Sequence, residues 1–355
     1  MKISVVIPAY NCAHLIGATL DSLLAQTFSE FEVIIVNDGS TDGTLGVLNA
    51  YAAKDSRIHI LSVKNGGPAR ARNLAIEQAQ GEYLSFLDAD DLVEPDLFER
   101  MYSLAAEHDL DEVACGYRME HEGKHPNPKD FSFEPFVAEN AAAFRQKLTP
   151  LIQAHLMYVV WNKLFRTSMI RENAIRFPDY LSGEDRLFNT FTFPHIQRFG
   201  FVEKPLYRYF LRGQQSLANR YVKNRFEAAL TCHTELLAAY EAMDLLSDEN
   251  RTAIDFMFVK GIMSCFTQLS SKACPLSFRE KKALIGEILQ NEYVHEAIQR
   301  DDSSFGYSKL VNGVLRSNRS TWIYLMAKAI FLMQFKLNGL YLKLKHNVKS
   351  TSSED

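Results

Sequence analysis

The feature that most constrains the fold is the alternation of short β-rich runs with helical patterns over the first 117 residues. The β-rich runs are Ile3–Ile7, Val33–Val36, Ile58–Leu61, Tyr83–Leu87 and Val113–Cys115. The stretches between them have a helical pattern: Leu15–Gln26, Leu45–Lys54, Ala71–Gln80 and Pro95–Glu107. Runs such as Val33–Val36 lack polar alternation, which is typical of strands buried on both faces. The alternation predicts an α/β fold, in which helices cover a mostly parallel, Rossmann-like sheet.

The rest of the chain has a mixed part followed by a helical part. Residues 118–135 hold several prolines among charged side chains, and we predict a connection without regular structure there. A short strand near Trp161–Phe165 and a helix after Gly183 indicate that the first domain continues. From about residue 221 the helical pattern dominates, in Phe226–Met243, Asn250–Gln268 and Phe278–Leu289. We therefore predict two domains: residues 1–220, with halves 1–117 and 118–220, and a helical region, residues 221–355.

The end of the helical region is basic, although the whole chain carries a net charge of −4 and offers no general attraction for nucleic acid. Between residues 307 and 349 there are eight basic residues and no acidic one. They surround the apolar runs Trp322–Ala327 and Ala329–Met333, which Lys328 separates and which are too short to span a bilayer. We expect an amphipathic helix that lies on a membrane surface, or one that packs against the rest of the chain or a second copy.

The cysteines and the N-terminus indicate the compartment. Five cysteines lie far apart without a Cys-x-x-Cys pair, so neither a disulfide framework nor a cysteine zinc site is indicated. The apolar run at the N-terminus is broken by Pro8 and is too short for a signal peptide. We interpret it as the first core strand and expect a cytoplasmic protein, held at the inner face of the membrane if the basic helix binds lipid.

A polar cluster follows each of the first four predicted strands. The clusters are Pro8-Ala9-Tyr10-Asn11, Asn37-Asp38-Gly39-Ser40, Lys64-Asn65-Gly66-Gly67-Pro68 and Asp88-Ala89-Asp90-Asp91. Any one of them alone is typical of a turn. In an open parallel sheet, however, ligands bind beyond the carboxyl ends of the strands, so four clusters at one edge indicate a binding site.

Asp88 and Asp90 indicate a divalent cation. At a spacing of two in an extended segment, both side chains point to the same face. Their oxygens suit Mg²⁺ or Mn²⁺, which often complete their coordination with substrate phosphates. We predict Asp90 as the metal ligand with Asp88 beside it, and we interpret Asp91 as a cap for the helix that follows.

Several enzyme classes lack their motifs in this chain. The glycine-rich segment at 64–73 could bring backbone amides and Arg70 or Arg72 near phosphates, but it has no Gly-Lys-Ser/Thr and is not a P-loop. No Gly-x-Gly-x-x-Gly follows the first strand, and there is no Gly-x-Ser-x-Gly. Dinucleotide-binding, P-loop and serine-hydrolase functions are therefore disfavoured.

Four segments together resemble the consecutive signatures of glycosyltransferase family 2. They are Ser4–Asn11, Val36–Asp42, Asn65–Asn73 and Leu87–Asp91, in the order and spacing of that family. The resemblance continues more loosely through Trp161–Phe165, Gly183–Asp185 and Tyr207–Tyr209 and stops near residue 220. It implies a GT-A type catalytic domain at 1–220, with a nucleotide-binding half at 1–117 and an acceptor half at 118–220.

The resemblance also implies an activity. Members of the family transfer a sugar with inversion from a nucleotide sugar, usually a UDP-sugar, to an acceptor hydroxyl. Here the acceptor would be a glycan or a lipid-linked sugar of a bacterial surface polysaccharide or glycolipid. The Gln-x-x-Arg-Trp motif of processive synthases is absent, because the sequence from Arg212 reads Arg-Gly-Gln-Gln-Ser. We therefore expect a non-processive enzyme.

By position, the resemblance implies roles for the residues at the sheet edge. Asp38 would accept a hydrogen bond from the uracil ring, Asp88 would hold the ribose, and Asp90 would bind the Mn²⁺ or Mg²⁺ that bridges the diphosphate. Pro8, Ala9 and Tyr10 would line the nucleotide pocket. The rest of the predicted nucleotide-sugar site comprises Asn11, Gly39, Lys64, Asn65, Gly67, Arg72 and Ala89.

The catalytic base implied by the resemblance is Asp185, with Glu184 as the alternative. Adjacent residues of a helix point about 100° apart, so we expect only one of them to face the site. Apart from the resemblance, the pair is typical of a helix start. Trp161, Tyr207 and Tyr209 could form a platform for the acceptor sugar, although such aromatic side chains are more often core residues.

Two other functions compete with this one. A catalytically silent, sugar-nucleotide-binding scaffold subunit could use the helical region to assemble a complex, although the presence of Asp88, Asp90 and Asp185 disfavours it. A sugar-phosphate nucleotidyltransferase would also need a nucleotide pocket and a metal. Formation of pyrophosphate from UTP and a sugar phosphate would distinguish it.

Overall fold

The computed structural model describes residues 1–121, 128–180, 182–212, 221–300 and 306–336. The chain forms two compact units. The sheet unit comprises Met1–Gly213 and Glu241–Leu245, and the helical unit comprises Gln214–Tyr240 and Leu246–Asp355. Three features of the sequence analysis lie outside the described residues. They are the predicted boundary at residue 220, the Gln-Gln-Ser that follows Gly213, and the basic residues of 337–349.

The sheet unit is built on a ten-stranded mixed sheet. Its strands are β1 (Ile3–Ala9), β2 (Phe31–Asp38), β3 (Ile58–Val63), β4 (Tyr83–Phe86), β5 (Leu92–Val93), β6 (Glu112–His121), β7 (Lys129–Phe131), β8 (Phe136–Ala138), β9 (Lys163–Arg166) and β10 (Phe199–Leu211). The order is β3-β2-β1-β4-β9-β6-β10-β5, with β7 beside β6 and β8 beside β10. The long ladders, β1 with β2, β2 with β3 and β6 with β10, are parallel, whereas the antiparallel pairs are short. This confirms the predicted mostly parallel α/β sheet.

Helices flank the sheet: α1 (Ile16–Leu24), α2 (Thr44–Ala52), α3 (Pro68–Gln78), α4 (Leu97–His108), α5 (Ala141–Gln153), α6 (Thr167–Glu172) and α7 (Glu184–Thr192). Every residue of β2 is buried, as expected for a strand that is covered on both faces. Pro68 is the first residue of α3. Proline is tolerated there because its missing backbone N–H would have no partner within the helix. The short helices at the strand ends therefore place their N-termini beside the polar clusters.

One prediction of local structure was wrong, and two elements were not predicted. Residues 118–121 extend β6, and Lys129–Phe131 forms β7, because the two strands pair with each other and the Phe131 ring stacks on Tyr117 at 4.6 Å. Residues 199–211 form the single strand β10, whose pairing with β6 shifts register around Pro205. Helix α5 was missed, because Pro150 inside it looks like a helix breaker.

The rest of the described chain is helical: α8 (Arg225–Ala242), α9 (Asp248–Gln268), α10 (Phe278–Gln290), α11 (Glu292–Arg300), α12 (Gly306–Arg316) and α13 (Ser320–Lys336). The core of the helical unit includes Ile262 and Phe266 of α9, Ile285 of α10 and Ile323 of α13. This confirms the predicted C-terminal helical region. None of the described helices combines the length and the apolar content that a membrane-spanning segment requires.

Candidate active site

The loops after β1, β2 and β3 are tied together by hydrogen bonds. The Asn11 side-chain oxygen accepts from the backbone N–H of Thr41 at 2.8 Å, which joins the β1 loop to the β2 loop. The two oxygens of Asp38 accept from the backbone N–H groups of Gly66 and Gly67, both at 2.8 Å, which joins the β2 loop to the start of α3. Three of the predicted clusters therefore meet at one edge of the sheet. We call this edge, with the loops after β1, β2, β3 and the parallel strand β4, the donor edge.

Gly39 fixes the spacing of these loops. Its φ is +70°, a left-handed conformation that glycine adopts without steric cost. A Cβ at this position would lie 2.6 Å from the backbone nitrogen of Asn65. The Asn65 side chain donates a hydrogen bond to the backbone carbonyl of Asp38 at 2.9 Å. The two loops are therefore in direct contact, and only glycine fits between them.

The predicted nucleotide-pocket residues differ in how accessible they are. Tyr10 is 53% exposed at the end of β1, and Lys64 is exposed, whereas Asp38 is only 3% exposed. Pro8 is half-buried, and Ala9 and Ala89 are buried. The Asp38 carboxylate accepts one hydrogen bond at each oxygen and has lone pairs left for a ligand.

Arg72 is the centre of a carboxylate cluster. This side chain of α3 is 4% exposed, and its Cζ lies 5.2 Å from the centre of the Phe177 ring. Its Nη2 donates to Asp88 Oδ1 at 2.9 Å and its Nη1 to Asp185 Oδ1 at 3.0 Å. Nη1 also lies 3.6 Å from Glu184 Oε1. One guanidinium thus joins the end of β4 to the start of α7. The predicted contact of Arg72 with phosphate stays a prediction.

Glu184 and Asp185 form the first turn of α7, directly after Gly183, whose φ is +94°. Their side chains are 15% and 23% exposed. We expected only one of these side chains to face the site, but both reach Arg72. They do so because the longer Glu184 side chain bridges the difference in direction. Burial raises the pKa of Asp185 to about 7 and also raises the pKa of Glu184. With three carboxylates around one guanidinium, the positive charge cannot balance all of them, so Asp185 can exchange a proton near neutral pH.

Asp90 and Asp91 have different environments. Asp90 is 41% exposed and accepts a hydrogen bond from Arg212 Nη1 at 2.6 Å. Asp91 is 1% exposed and accepts from the Tyr207 hydroxyl at 2.8 Å and from the backbone N–H of Phe210 at 2.9 Å. Asp91 therefore ties the β4 loop to β10, and its predicted role as a helix cap was wrong. Its two donors belong to β10, whereas Asp96 is the residue that precedes α4.

The residues at the end of β4 fit a divalent cation. Asp88 and Asp90 supply hard oxygen ligands and keep part of their surface open to solvent. Burial and the negative charge of Asp88 raise the pKa of Asp90, which shows that negative charge is crowded there. The described residues contain no group of three His, Cys, Asp or Glu side chains placed to hold a metal. A cation at this point would therefore need further ligands from a substrate such as a diphosphate.

The aromatic side chains that could have formed a sugar platform are mostly core residues. Trp161 is 4% exposed and Tyr207 is fully buried, and their ring centres lie 4.2 Å apart in a stack. Tyr209 continues the stack at 5.5 Å from Trp161 and is half-buried. Of the three, only Tyr209 keeps a surface that a ligand could contact.

The sequence interpretation missed a buried network behind Asp185. Lys163, 1% exposed on β9, donates to the backbone carbonyls of Leu156 at 2.8 Å and Val159 at 2.6 Å. Asn189 of α7 in turn donates to the backbone carbonyls of Val159 at 3.2 Å and Asp185 at 2.8 Å. Burial lowers the pKa of Lys163 to about 8. A lysine inside an apolar run was the signal that could have revealed this network, which anchors the first turn of α7.

The sequence is similar to those of several glycosyltransferases. Residues 4–173 match the family model for glycosyl transferase family 2. The uncharacterized glycosyltransferase EpsJ of Bacillus subtilis is 29% identical over 321 residues, which cover 88% of this chain and 89% of EpsJ. The Staphylococcus aureus poly(ribitol-phosphate) β-N-acetylglucosaminyltransferase TarS is 30% identical over 214 residues, which cover 59% of this chain and 35% of TarS.

Solved structures share the fold. S. aureus TarS 1–349 in complex with UDP-GlcNAc superposes with a TM-score of 0.65 and 24% identity, over 94% of this chain and 92% of that chain. The mannosyltransferase PcManGT from Pyrobaculum calidifontis, in complex with GDP-Man and Mn²⁺, has a TM-score of 0.52 and 17% identity, over 93% and 86% of the two chains. The fold is of the GT-A type, and the family model indicates a glycosyltransferase. The chain contains a glycosyl transferase family 2 domain at residues 4–173.

Proposed function

We propose that this glycosyltransferase moves a sugar from a UDP-sugar to a hydroxyl of a glycan or lipid-linked acceptor, with inversion, in the synthesis of a surface polysaccharide or glycolipid. The observation that carries the proposal is the position of Arg72, which binds both Asp88 at the donor edge and Asp185 on α7. The predicted donor-binding carboxylate and the predicted base therefore lie within reach of one side chain.

The donor edge would hold the nucleotide. Asp38 would accept from the uracil ring, Asp88 would hold the ribose, and Tyr10 with its neighbours Pro8 and Ala9 would line the pocket. The complex of TarS with UDP-GlcNAc supports a UDP-sugar, since TarS has the same fold and its name describes transfer of N-acetylglucosamine. The remaining predicted contacts are Asn11, Gly39, Lys64, Asn65, Gly67, Arg72 and Ala89.

Asp90, with Asp88, would hold a Mn²⁺ or Mg²⁺ ion. When bound, such a cation neutralises charge that develops on the departing diphosphate. The crowded negative charge at Asp90 and the Mn²⁺ in the structure of PcManGT support this part of the proposal. In this structure Arg212 forms an ion pair with Asp90 and supplies its counter-charge.

Asp185 would be the general base. Inversion requires a base on the side of the sugar opposite the leaving diphosphate, so the carboxylate that takes the acceptor proton must differ from those that bind the metal. A pKa of about 7 suits this task, because a base works best when its pKa lies near the working pH. Activity should therefore rise as the pH increases through about 7.

The proposal is tested by incubating the protein with Mn²⁺ and a panel of UDP-sugars and measuring the release of UDP. Release with one or a few donors, which increases when an acceptor glycan is added, is expected. A scaffold subunit would bind UDP but would release no UDP from any UDP-sugar. A nucleotidyltransferase would instead form pyrophosphate from UTP and a sugar phosphate, and either result would contradict the proposal.

A further inference from the structure

An exposed apolar stripe runs along α13 in the helical unit. Trp322 is 59% exposed, Leu325 47% and Leu332 37%, and Ala329 between them is also exposed. Spacings of three, four and three residues place these four side chains on one face of the helix. We call this face the α13 stripe.

The opposite face of α13 already has its partners. Ile323, Ala327 and Ile330 are buried in the core of the helical unit, together with residues of α9 and α10. The helix is therefore apolar on two sides, and the core accounts for only one of them. Single exposed apolar residues are ordinary, but a continuous stripe of this kind marks an interaction surface.

Basic residues lie on α13 and on the elements next to it. Lys328 is exposed on α13 itself, and Arg316 and Arg319 are exposed just before it. The start of α10 lies against α13, where the rings of Phe278 and Tyr324 are 5.3 Å apart, and Lys282 lies over the Phe278 ring. Residues 307–349 carry eight positive charges and no negative ones, so the rest of the chain carries −4 − 8 = −12.

We propose that the α13 stripe docks on an anionic lipid surface. Apolar side chains with a tryptophan at one end, next to lysine and arginine, are the features by which a helix lies in the interface of a charged membrane. A second copy of the chain fits less well, because a symmetric contact through this face would bring its basic residues together. The inference deepens the proposed function by naming the surface at which a lipid-linked acceptor would be met.

The test uses the full chain and two kinds of vesicle, pure phosphatidylcholine and phosphatidylcholine mixed with phosphatidylglycerol. The chain has two tryptophans, and Trp161 is 4% exposed in the sheet unit, so a change in tryptophan emission reports on Trp322. We expect a blue shift and co-sedimentation with the anionic vesicles only, weakened by salt. Absence of both with anionic vesicles would overturn the proposal.

Two variants sharpen the test. Leu325→Glu places a charge in the stripe and should lower the partition coefficient about tenfold or more. Leu45→Glu changes a leucine of α2 that is 37% exposed, and it should leave the partition coefficient unchanged. Equal loss in both variants would contradict a role for the stripe.

The outcomes also separate this inference from the proposed function. UDP binding, measured without vesicles, should be the same for Leu325→Glu and the native chain. If lipid binding fails while UDP release is normal, the docking surface alone is overturned. If the protein binds lipid but releases no UDP, the enzymatic proposal alone is overturned. A dimer in sedimentation velocity that Leu325→Glu dissociates, without vesicle binding, would assign the stripe to a second copy and overturn the proposal.

Discussion

The two sides of the candidate site are assembled in different ways. At the donor edge, Asp38 binds the glycine loop 28 residues further on, through backbone N–H groups of one local set of strands and turns. On the base side, Arg72 reaches Asp185 across 113 residues of sequence, and the side chains rather than the backbone make the contacts. The donor edge thus depends on loop geometry, whereas the base side depends on how distant elements pack. The predictions below disturb one side at a time.

The largest effect is expected from Asp185→Asn, which removes the proposed base and leaves the donor edge intact. General-base assistance is worth about 10²–10⁴ in rate, or roughly 3–5 kcal/mol, so turnover should fall by that factor while UDP affinity changes little. Steady-state kinetics and calorimetry measure the two quantities. Glu184→Gln is the matched control, with a smaller loss expected. A larger loss in Glu184→Gln would transfer the role of base to Glu184.

Arg72→Met should separate the two sides. It leaves three carboxylates, 15% to 30% exposed, without their shared positive charge. Removing one partner of a fully buried ion pair costs about 3–5 kcal/mol, and we expect about 2–3 kcal/mol here because these carboxylates keep some contact with water. Urea unfolding measures the loss, and Arg72→Lys should recover part of it. An Arg72→Met protein as stable as the native one would rule out the cluster as a structural link.

Gly39→Ala should damage the donor edge alone. The added methyl group meets the backbone of Asn65 at 2.6 Å, and the left-handed backbone adds strain, for a total cost of about 1–3 kcal/mol. The affinity for UDP should fall together with the stability, while the pH dependence of turnover stays the same. The control is Gly46→Ala in α2, where nothing lies within 4 Å of the new Cβ. That change should stabilise the protein by up to about 1 kcal/mol, and a similar loss in both variants would refute the steric explanation.

The smallest effect concerns the network behind the base. Glu112 is fully buried, and burial raises its pKa from 4.5 to about 7. Because its pKa is raised in the folded state, the contribution of Glu112 to stability is fully present below about pH 4.5 and is lost as the pH rises through about 7. The slope of the unfolding free energy reaches at most about 1.4 kcal/mol per pH unit for one proton. Glu112→Gln should make the measured slope shallower, whereas Glu77→Gln, which changes an exposed glutamate, should not.

The donor edge could be predicted almost entirely from the sequence. Its strands are continuous apolar runs, and each ends in residues that turns and ligands both require. The bounds of β1 to β4 lie within a few residues of the predicted ones, and Asp38 and Gly67 are in contact as their shared edge implies. Local patterns suffice here because local backbone geometry builds the region.

The base side could be predicted only in part, for a physical reason. Nothing near Arg72 in sequence shows that its guanidinium will bind Asp185, since that contact exists only after α3 and α7 have packed on the sheet. The same holds for Asp91, whose partners Tyr207 and Phe210 lie more than one hundred residues away. Motif spacing named Asp185 through the resemblance, but it could not give the partners that set its pKa.

We propose that Asp90 serves donor binding and Asp185 serves proton transfer. The most direct test measures UDP affinity by calorimetry, with and without Mn²⁺, alongside turnover of the donor, in Asp90→Ala, Asp185→Asn and the native protein. The account predicts Mn²⁺-dependent UDP binding that Asp90→Ala loses and Asp185→Asn retains, with turnover impaired in both variants. UDP binding that is independent of Mn²⁺ and unchanged in Asp90→Ala, or normal turnover in Asp185→Asn, would contradict it.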